Sequence, residues 1–240
     1  MPLVAWVLEA LGVPFTGARG TALAVTTDKL LTKRLLRRHD LPTPDWVTAA
    51  AERVPAGRWI LKPRFEDASV GIDEAAVVDA PRVAAELARR GRAVFAERYV
   101  EGREFNLSLL EVDGRPRLLP PAEIDFSAFP PGMPRIVGYD AKWRPESFAY
   151  RNTPRVFLDP AREPELFNRL AAIALRCWRL FELSGYARID LRVDAEGRPY
   201  VLEINANPSL APDAGFLAAA ARAGLTPVEV MRHILEAALR

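Results

Sequence analysis

The chain has 240 residues, half of them hydrophobic, and its 33 basic and 31 acidic side chains leave a formal net charge of +2. That length suits one large domain or two small ones with a substantial core. The charges are balanced and interspersed, which excludes a nucleic-acid-binding arm and an acidic tail. The single cysteine, Cys177, rules out an intrachain disulfide. Its apolar helical surroundings mark it as a core filler, in keeping with a reducing, cytoplasmic setting. No apolar run approaches the ~18 residues of a membrane span, so no membrane partner is expected.

In chain order, residues 2–11 read as an amphipathic helix. No basic segment precedes it and Glu9 interrupts it, unlike a signal peptide. "GVPFTGARG" (12–20) is a loop. Thr27 or Asp28 then caps a helix with Leu31, Leu35 and Leu36 on its apolar side. The basic run "TKRLLRRHD" (32–40) reads as a solvated helix face, and "LPTP" ends that helix. "RWILKP" (58–63) is a strand, and "DAPRVAAELARRG" (79–91) a helix stopped by Gly91. "AVFAERYV" and "EFNLSLLEV" are strands, and "DGRP" (113–116) turns into "RLLPPAEIDF". Residues 127–157 are Pro-rich and aperiodic, the signature of a functional or disordered loop. A long helix over 163–183 stops at Gly185, and "YARIDLRV", "DAEG" and "PYVLEI" form a hairpin. The last helix starts at Thr226, with Pro227 in its first turn and Glu229 completing a capping box. Strands alternating with helices, plus antiparallel hairpins, predict a mixed α/β or α+β fold.

The hairpin carries the chemistry. A loop within "DAEG" that pairs Val193 with Arg198 sets Leu191 opposite Tyr200 and Ile189 opposite Leu202, which matches apolar faces. Arg188, Asp190, Glu203 and Asn205 then share the other face, with Arg188 across from Glu203. Two carboxylates and a carboxamide suit a hard cation, Mg²⁺ above all. A guanidinium beside them would oppose charge developing on a phosphoryl group. Ordinary solvent-facing Arg–carboxylate pairs would produce the same spacing.

"GYARIDLRVDAEGRPYVLEINANP" (185–208) resembles the C-terminal motif of ATP-grasp enzymes, in the branch of the D-alanine–D-alanine ligases. "TTDKLLTKRLLRRHDLPTPDW" resembles the start of the small lobe, and "ILKPRFEDASVGID" its strand and phosphate loop. "FAERYVEGREFNLSLL" resembles the adenine hinge, and "YDAKWRPESFAYR" the mobile loop over the active site. The pieces follow the family's order across residues 15–240. The resemblance implies an ATP-grasp fold, two α+β lobes holding ATP between antiparallel sheets. Residues 1–18 would be the remnant of an N-terminal domain, 19–98 the small lobe and 99–240 the large lobe. The implied reaction is ADP-forming ligation of a carboxylate to an amine through an acyl phosphate.

By the same resemblance Lys29, Lys62, Ser69 and Lys142 meet the phosphates, and Glu97 accepts from the adenine amino group. The backbone of Tyr99 and Val100 completes the base contacts, and Glu104 holds the ribose. Asp190, Glu203 and Asn205 hold two Mg²⁺ ions, for which Mn²⁺ could substitute, while Arg188 and Lys142 act on the transferred phosphoryl. Trp143, Ser209 and Ala214 fall at substrate positions, and there the chain departs from the family. Asp67 and Ala68 replace a glycine and a serine of the phosphate loop, and Trp143 replaces a tyrosine. Ser209 and Ala214 stand where a glycine and a serine grip the second substrate's carboxylate. Different substrates are therefore expected, since a site that loses its polar partners loses discrimination. An ATP-grasp phosphotransferase and a non-catalytic nucleotide-binding subunit remain alternatives. For the missing domain, an upstream start, a naturally short chain and a second chain all remain open, and self-association is a further expectation. Only His39 and His233 exist, there is no G-x-G-x-x-G, and no Cys/His cluster occurs. A triad hydrolase, a Rossmann site and a zinc site therefore lack their residues.

Overall fold

The computed structural model describes residues 2–240. Helix α1 (Pro2–Ala10) packs on α2 (Gly20–Thr27), which leads into α3 (Lys29–Arg38). Asp28 caps α3, its carboxylate accepting from the N–H groups of Leu30 and Leu31. Helix α2 fills the stretch between the loop expected over 12–20 and the cap expected at Thr27 or Asp28, where no element was expected. Its sequence GTALAVTT has no apolar stripe to reveal it. Tertiary contacts hold it instead: Gly20 N–H donates to Glu9 at 2.9 Å. Trp6 lies so close that a Cβ on Gly20 would sit 2.3 Å from the indole.

Strand β1 (Trp46–Val47), β2 (Arg58–Pro63), β3 (Val77–Asp79) and, after helix α4 (Ala80–Arg90), β4 (Val94–Arg98) form an antiparallel four-stranded sheet in the order β1-β4-β2-β3. Alternation in RWILKP turns Trp59 and Leu61 onto Val83 and Leu87 of α4. Ile60 and Lys62 face the other way, on the side that builds the site.

The chain then enters β5 (Arg103–Val112), β6 (Arg115–Leu118) and β7 (Ala122–Ile124). The expected "RLLPPAEIDF" segment is thus two short strands split at Pro120 and Pro121, which cannot donate ladder hydrogen bonds. Residues 127–157 hold two short helices, α5 (Tyr139–Trp143) and α6 (Phe148–Arg151), and strand β8 (Arg155–Phe157). Helix α7 (Pro164–Leu180), β9 (Tyr186–Val193), β10 (Pro199–Asn205), α8 (Gly215–Arg222) and α9 (Pro227–Ala238) complete the fold. The larger sheet runs β10-β9-β5-β7-β8, with β6 beside β5. Helix α7 stops at Leu180, before Gly185: Glu182 adopts φ 48° and the Leu183 N–H bonds back to Trp178. The capping box at Thr226 forms as expected.

One face of the larger sheet, with Phe105, Leu107, Ile189 and Leu191, buries against Leu170, Ala174 and Cys177 of α7. Ala22 of α2 and Leu36 of α3 belong to this core, so both helices pack with the larger sheet. The opposite face carries Arg188, Asp190 and Arg192 and looks toward the four-stranded sheet across a cleft. Outside, α1 exposes Leu3, Val4, Trp6 and Val7.

The hairpin register differs from expectation by one residue before a bulge in β10 and by two beyond it. Val193 pairs with Pro199, Leu191 with Val201, Ile189 with Ile204, and Arg188 with Asn205, not Glu203. A β-bulge between Val201 and Glu203 absorbs Leu202. The bulge lets Val201 and Ile204, three apart, both face the core. Arg188, Asp190, Glu203 and Asn205 still share one face, with Glu203 directly opposite Asp190. Strict alternation put those four residues on the right face with the wrong partners, and it misplaced Val201, which is buried in the core, and Leu202, which lines the cleft.

Candidate active site

A cleft of about 800 Å³ lies between the sheets, and every site residue named from the sequence lines it. At the hinge end, Ile60, Ile72, Tyr99 and Ile136 form an apolar slot. The Tyr99 N–H is bonded to the Arg58 carbonyl at 3.0 Å, so it is engaged within the protein, and Val100 lines the cleft beside it.

Behind the slot, Glu97 is 1% exposed and bound by two lysines. Lys62 Nζ lies 2.5 Å from one oxygen and Lys33 Nζ 2.6 Å from the other. Burial would raise the Glu97 carboxyl, but the two ammonium groups outweigh it and hold it below the usual range. Burial pushes the Lys33 ammonium down to about 8, although Glu97 opposes the shift. Glu97 is thus first an anchor for Lys62 and Lys33. Lys33 corrects the reading of 32–40 as a wholly solvated face: it is buried and also bonds Thr43 at 2.7 Å.

Glu104 is buried, not an exposed strand charge, and Arg192 holds it through Nη2 at 2.6 Å and Nε at 3.2 Å. Arg192 was missed in the sequence. It also donates to the carbonyls of Val100, Gly102 and Arg135, tying β9 to the hinge and to the loop after β7. Its signal was available, because it continues the alternation of Arg188 and Asp190 along β9.

In the middle of the cleft, Arg188 grips Asp190 bidentately at 2.7 and 2.8 Å, and Asn106 donates to the same carboxylate at 2.9 Å. Burial acts to lower Arg188, but Asp190, Glu203 and Glu104 raise it further, so it stays charged. Lys29, expected at the phosphates, is buried rather than on the surface. It donates to the Glu66 carbonyl at 2.6 Å and lies 3.3 Å from Asp67 and 3.5 Å from Glu203. Asp67 therefore places its negative charge on the lysine that a phosphate would use. Among the described residues no group of three or more His, Cys, Asp or Glu gathers to hold a metal unaided. Two carboxylates and the Asn205 carboxamide do fit a Mg²⁺ that arrives with phosphate oxygens, because Mg²⁺ takes few protein ligands.

The phosphate loop and the segment over it are latched together. Ala68 and Ser69 both adopt left-handed φ, 58° and 61°, unusual for side-chain-bearing residues. The Trp143 indole donates to the Ala68 carbonyl at 2.9 Å, and Ser69 Oγ to the Val137 carbonyl at 2.7 Å. Gly138 makes this approach feasible, since a Cβ there would lie 2.8 Å from the Ile72 carbonyl. Trp143, in place of the expected tyrosine, thus reaches the backbone of Ala68. Lys142 lines the cleft from the same short helix. At the far end, Ser209 and Ala214 lie in the turn before α8, and the Ser209 hydroxyl accepts from Ala211 N–H.

The family model for the D-ala D-ala ligase C-terminus matches residues 35–236. The chain belongs to the D-alanine–D-alanine ligase family. It is 32% identical to the D-alanine–D-alanine ligase of Synechococcus sp. (strain JA-3-3Ab), over 99% of this chain and 72% of that protein. It is 34% identical to that of Methylococcus capsulatus, over 95% and 72%. Among solved structures, the Bacillus anthracis D-alanine–D-alanine ligase complexed with ATP superposes with a TM-score of 0.75 at 25% identity. That match covers 99% of this chain and 74% of that one. The fold is therefore that of ATP-grasp ligases, and the chain is a ligase-family enzyme. No helix among the described residues is long and apolar enough to cross a membrane.

Proposed function

We propose that the chain joins a carboxylate to an amine with release of ADP, acting on substrates other than a pair of D-alanines. The observation that carries this reading is the convergence of the nucleotide, metal and phosphoryl residues on one cleft, while the substrate end lacks the expected hydroxyls. The base lies in the slot of Ile60, Tyr99 and Ile136, with Val100 N–H and Glu97 at its edge. Glu104, steadied by Arg192, takes the ribose hydroxyls. Lys29, Lys62, Ser69 and Lys142 surround the phosphates. Asp190, Glu203 and Asn205 would hold two Mg²⁺ ions, or Mn²⁺, which neutralise the triphosphate. Arg188 supports the phosphoryl group as it passes to the substrate carboxylate, and the amine then displaces phosphate. Trp143, Ser209 and Ala214 shape the substrate end. We place the small lobe on the four-stranded sheet, within residues 19–98, and the large lobe on residues 99–240. Helices α2 and α3 bridge to the large lobe. A cytoplasmic setting suits an ATP-consuming enzyme whose one cysteine is buried and reduced.

The test is Mg²⁺-dependent ADP release over a panel of carboxylates and amines, singly and in pairs, with mass analysis of products and Glu203→Ala as blank. We expect release to require a pair and Glu203→Ala to abolish it in a folded protein. A stable phosphorylated product without an amine would replace this reading with a phosphotransferase.

A further inference from the structure

We propose that Lys33 is a positioning residue that answers the charge of Glu97 from behind, so that Lys62 presents an uncancelled positive charge to the phosphates of a nucleotide. This rests on the reading of the cleft as a nucleotide site. Lys29 and Lys33 stand four residues apart on α3 and share its buried face. Lys29 reaches the cleft, where Asp67 and Glu203 lie 3.3 and 3.5 Å from it. Lys33 is not among the residues that line the cleft, and its side chain is 1% exposed. It cannot touch a phosphate there, and a buried ammonium is tolerated only where partners compensate it.

Its partners define its role. Lys33 Nζ lies 2.6 Å from Glu97 Oε2 and donates to Thr43 Oγ1 at 2.7 Å. Thr43 in turn donates to the Val201 carbonyl of β10 at 2.8 Å. The ammonium is thus held from the larger sheet while it faces a carboxylate of the four-stranded one. The Trp46 ring covers it, with the centroid 5.4 Å from Nζ. Glu97 Oε2 accepts no hydrogen bond among the described residues, so the Lys33 charge is its compensation. The other oxygen, Oε1, takes Lys62 at 2.5 Å.

Two ammonium groups around one carboxylate leave the cluster with a net positive charge. Lys33 is enclosed, whereas Lys62 is 12% exposed and lines the cleft, so that charge emerges at Lys62. A Lys62–Glu97 pair alone would be neutral and would offer a phosphate little net attraction. The charged groups that face Lys33 are Glu97 on β4, Lys62 on β2 and Arg37 on its own helix. With burial they leave the ammonium at about 8, charged at neutral pH.

The experiment is calorimetry at neutral pH with AMP and with a non-hydrolysable ATP analogue, in Mg²⁺ and again in EDTA. It compares wild type, Lys33→Met and the double variant Lys33→Met/Glu97→Gln. The preference for the triphosphate over AMP isolates the phosphate tail from the base and from general damage to the fold. We expect Lys33→Met to lower that preference about tenfold. The double variant should return to within about twofold of wild type, because no carboxylate then needs a counter-charge. A lysine that served the fold alone would weaken both nucleotides alike, so an unmoved preference in folded Lys33→Met overturns the proposal. So does a double variant with the preference of Lys33→Met. Should Lys33→Met fail to fold, the double variant carries the test, because it buries no unpaired carboxylate: a preference near that of wild type supports the proposal and a tenfold loss overturns it. Failure of both to fold also overturns it, since the lysine then holds the fold. A wild type that binds neither nucleotide in either buffer overturns the nucleotide reading itself, and the proposal with it.

Discussion

Two aspartates show how a single side chain can work with or against the site. Asp67 lies on Lys29 at 3.3 Å, in competition with an arriving phosphate. Its side chain is 44% exposed, so the pair is screened and its effect modest. Asp67→Gly should therefore tighten ATP binding by about two- to fivefold at low salt. A filter-binding titration with and without added salt would reveal it, and an unchanged or weaker affinity would refute the competition. Asp28 instead supports the fold, capping α3 and pairing with Arg64 at 2.5 Å. Burial acts to raise its carboxyl, but Arg64 and the N–H groups of Leu31 and Leu30 hold it below the ordinary value of 3.8. Its stabilisation is thus full above that value and lost as pH falls through the depressed folded-state value. Asp28→Ala should cost about 1–2 kcal/mol at neutral pH. The gap from wild type in urea denaturation should narrow once the pH drops below 3.8. A gap that widens in acid would reverse the assignment.

Among the elements, α5 is latched to the loop of Ala68 and Ser69 at the edge of the cleft. Trp143 is 56% exposed, so its indole bond to Ala68 does more to orient the segment than to fill a core. Trp143→Phe keeps the ring and removes the donor. We expect proteolysis within residues 127–157 to accelerate and kcat to fall about fivefold, the worth of one hydrogen bond. An unchanged kcat with unchanged protection would show that the bond contributes nothing to closure. The bulge in β10 is the other decisive element. It places Glu203 opposite Asp190 and Asn205 opposite Arg188, so both possible metal carboxylates meet across one ladder.

For the whole molecule, function depends on two sheets facing one another with their charges turned inward. A ligand bound in that cleft touches both, so binding and global stability are linked. Mg-ATP at about a hundredfold over its Kd should add about 2.7 kcal/mol to stability. In a thermal melt this appears as a rise in Tm that EDTA largely removes. A rise that survives EDTA would mean that the metal residues do not serve the nucleotide.

The order of elements, the Asp28 and Thr226 caps and the polar face of the hairpin were all legible in the sequence. Each depends on residues a few positions apart, where periodicity and capping chemistry act. The residues that line the cleft were legible too, because short motifs in a recognisable order name side chains without needing distances. What the sequence left undetermined depends on partners far along the chain. Lys33 looks like a solvated helix charge until Glu97 arrives from β4, and Arg192 looks exposed until Glu104 and the hinge carbonyls close on it. The bulge, the last turn of α7 and helix α2 were likewise decided by packing, since Val201, Ile204 and Ala22 gain their burial only against α7 and the larger sheet. Local sequence determined which faces are polar, and only the tertiary structure decided which charges meet, because a buried charge is tolerated only where a distant partner neutralises it.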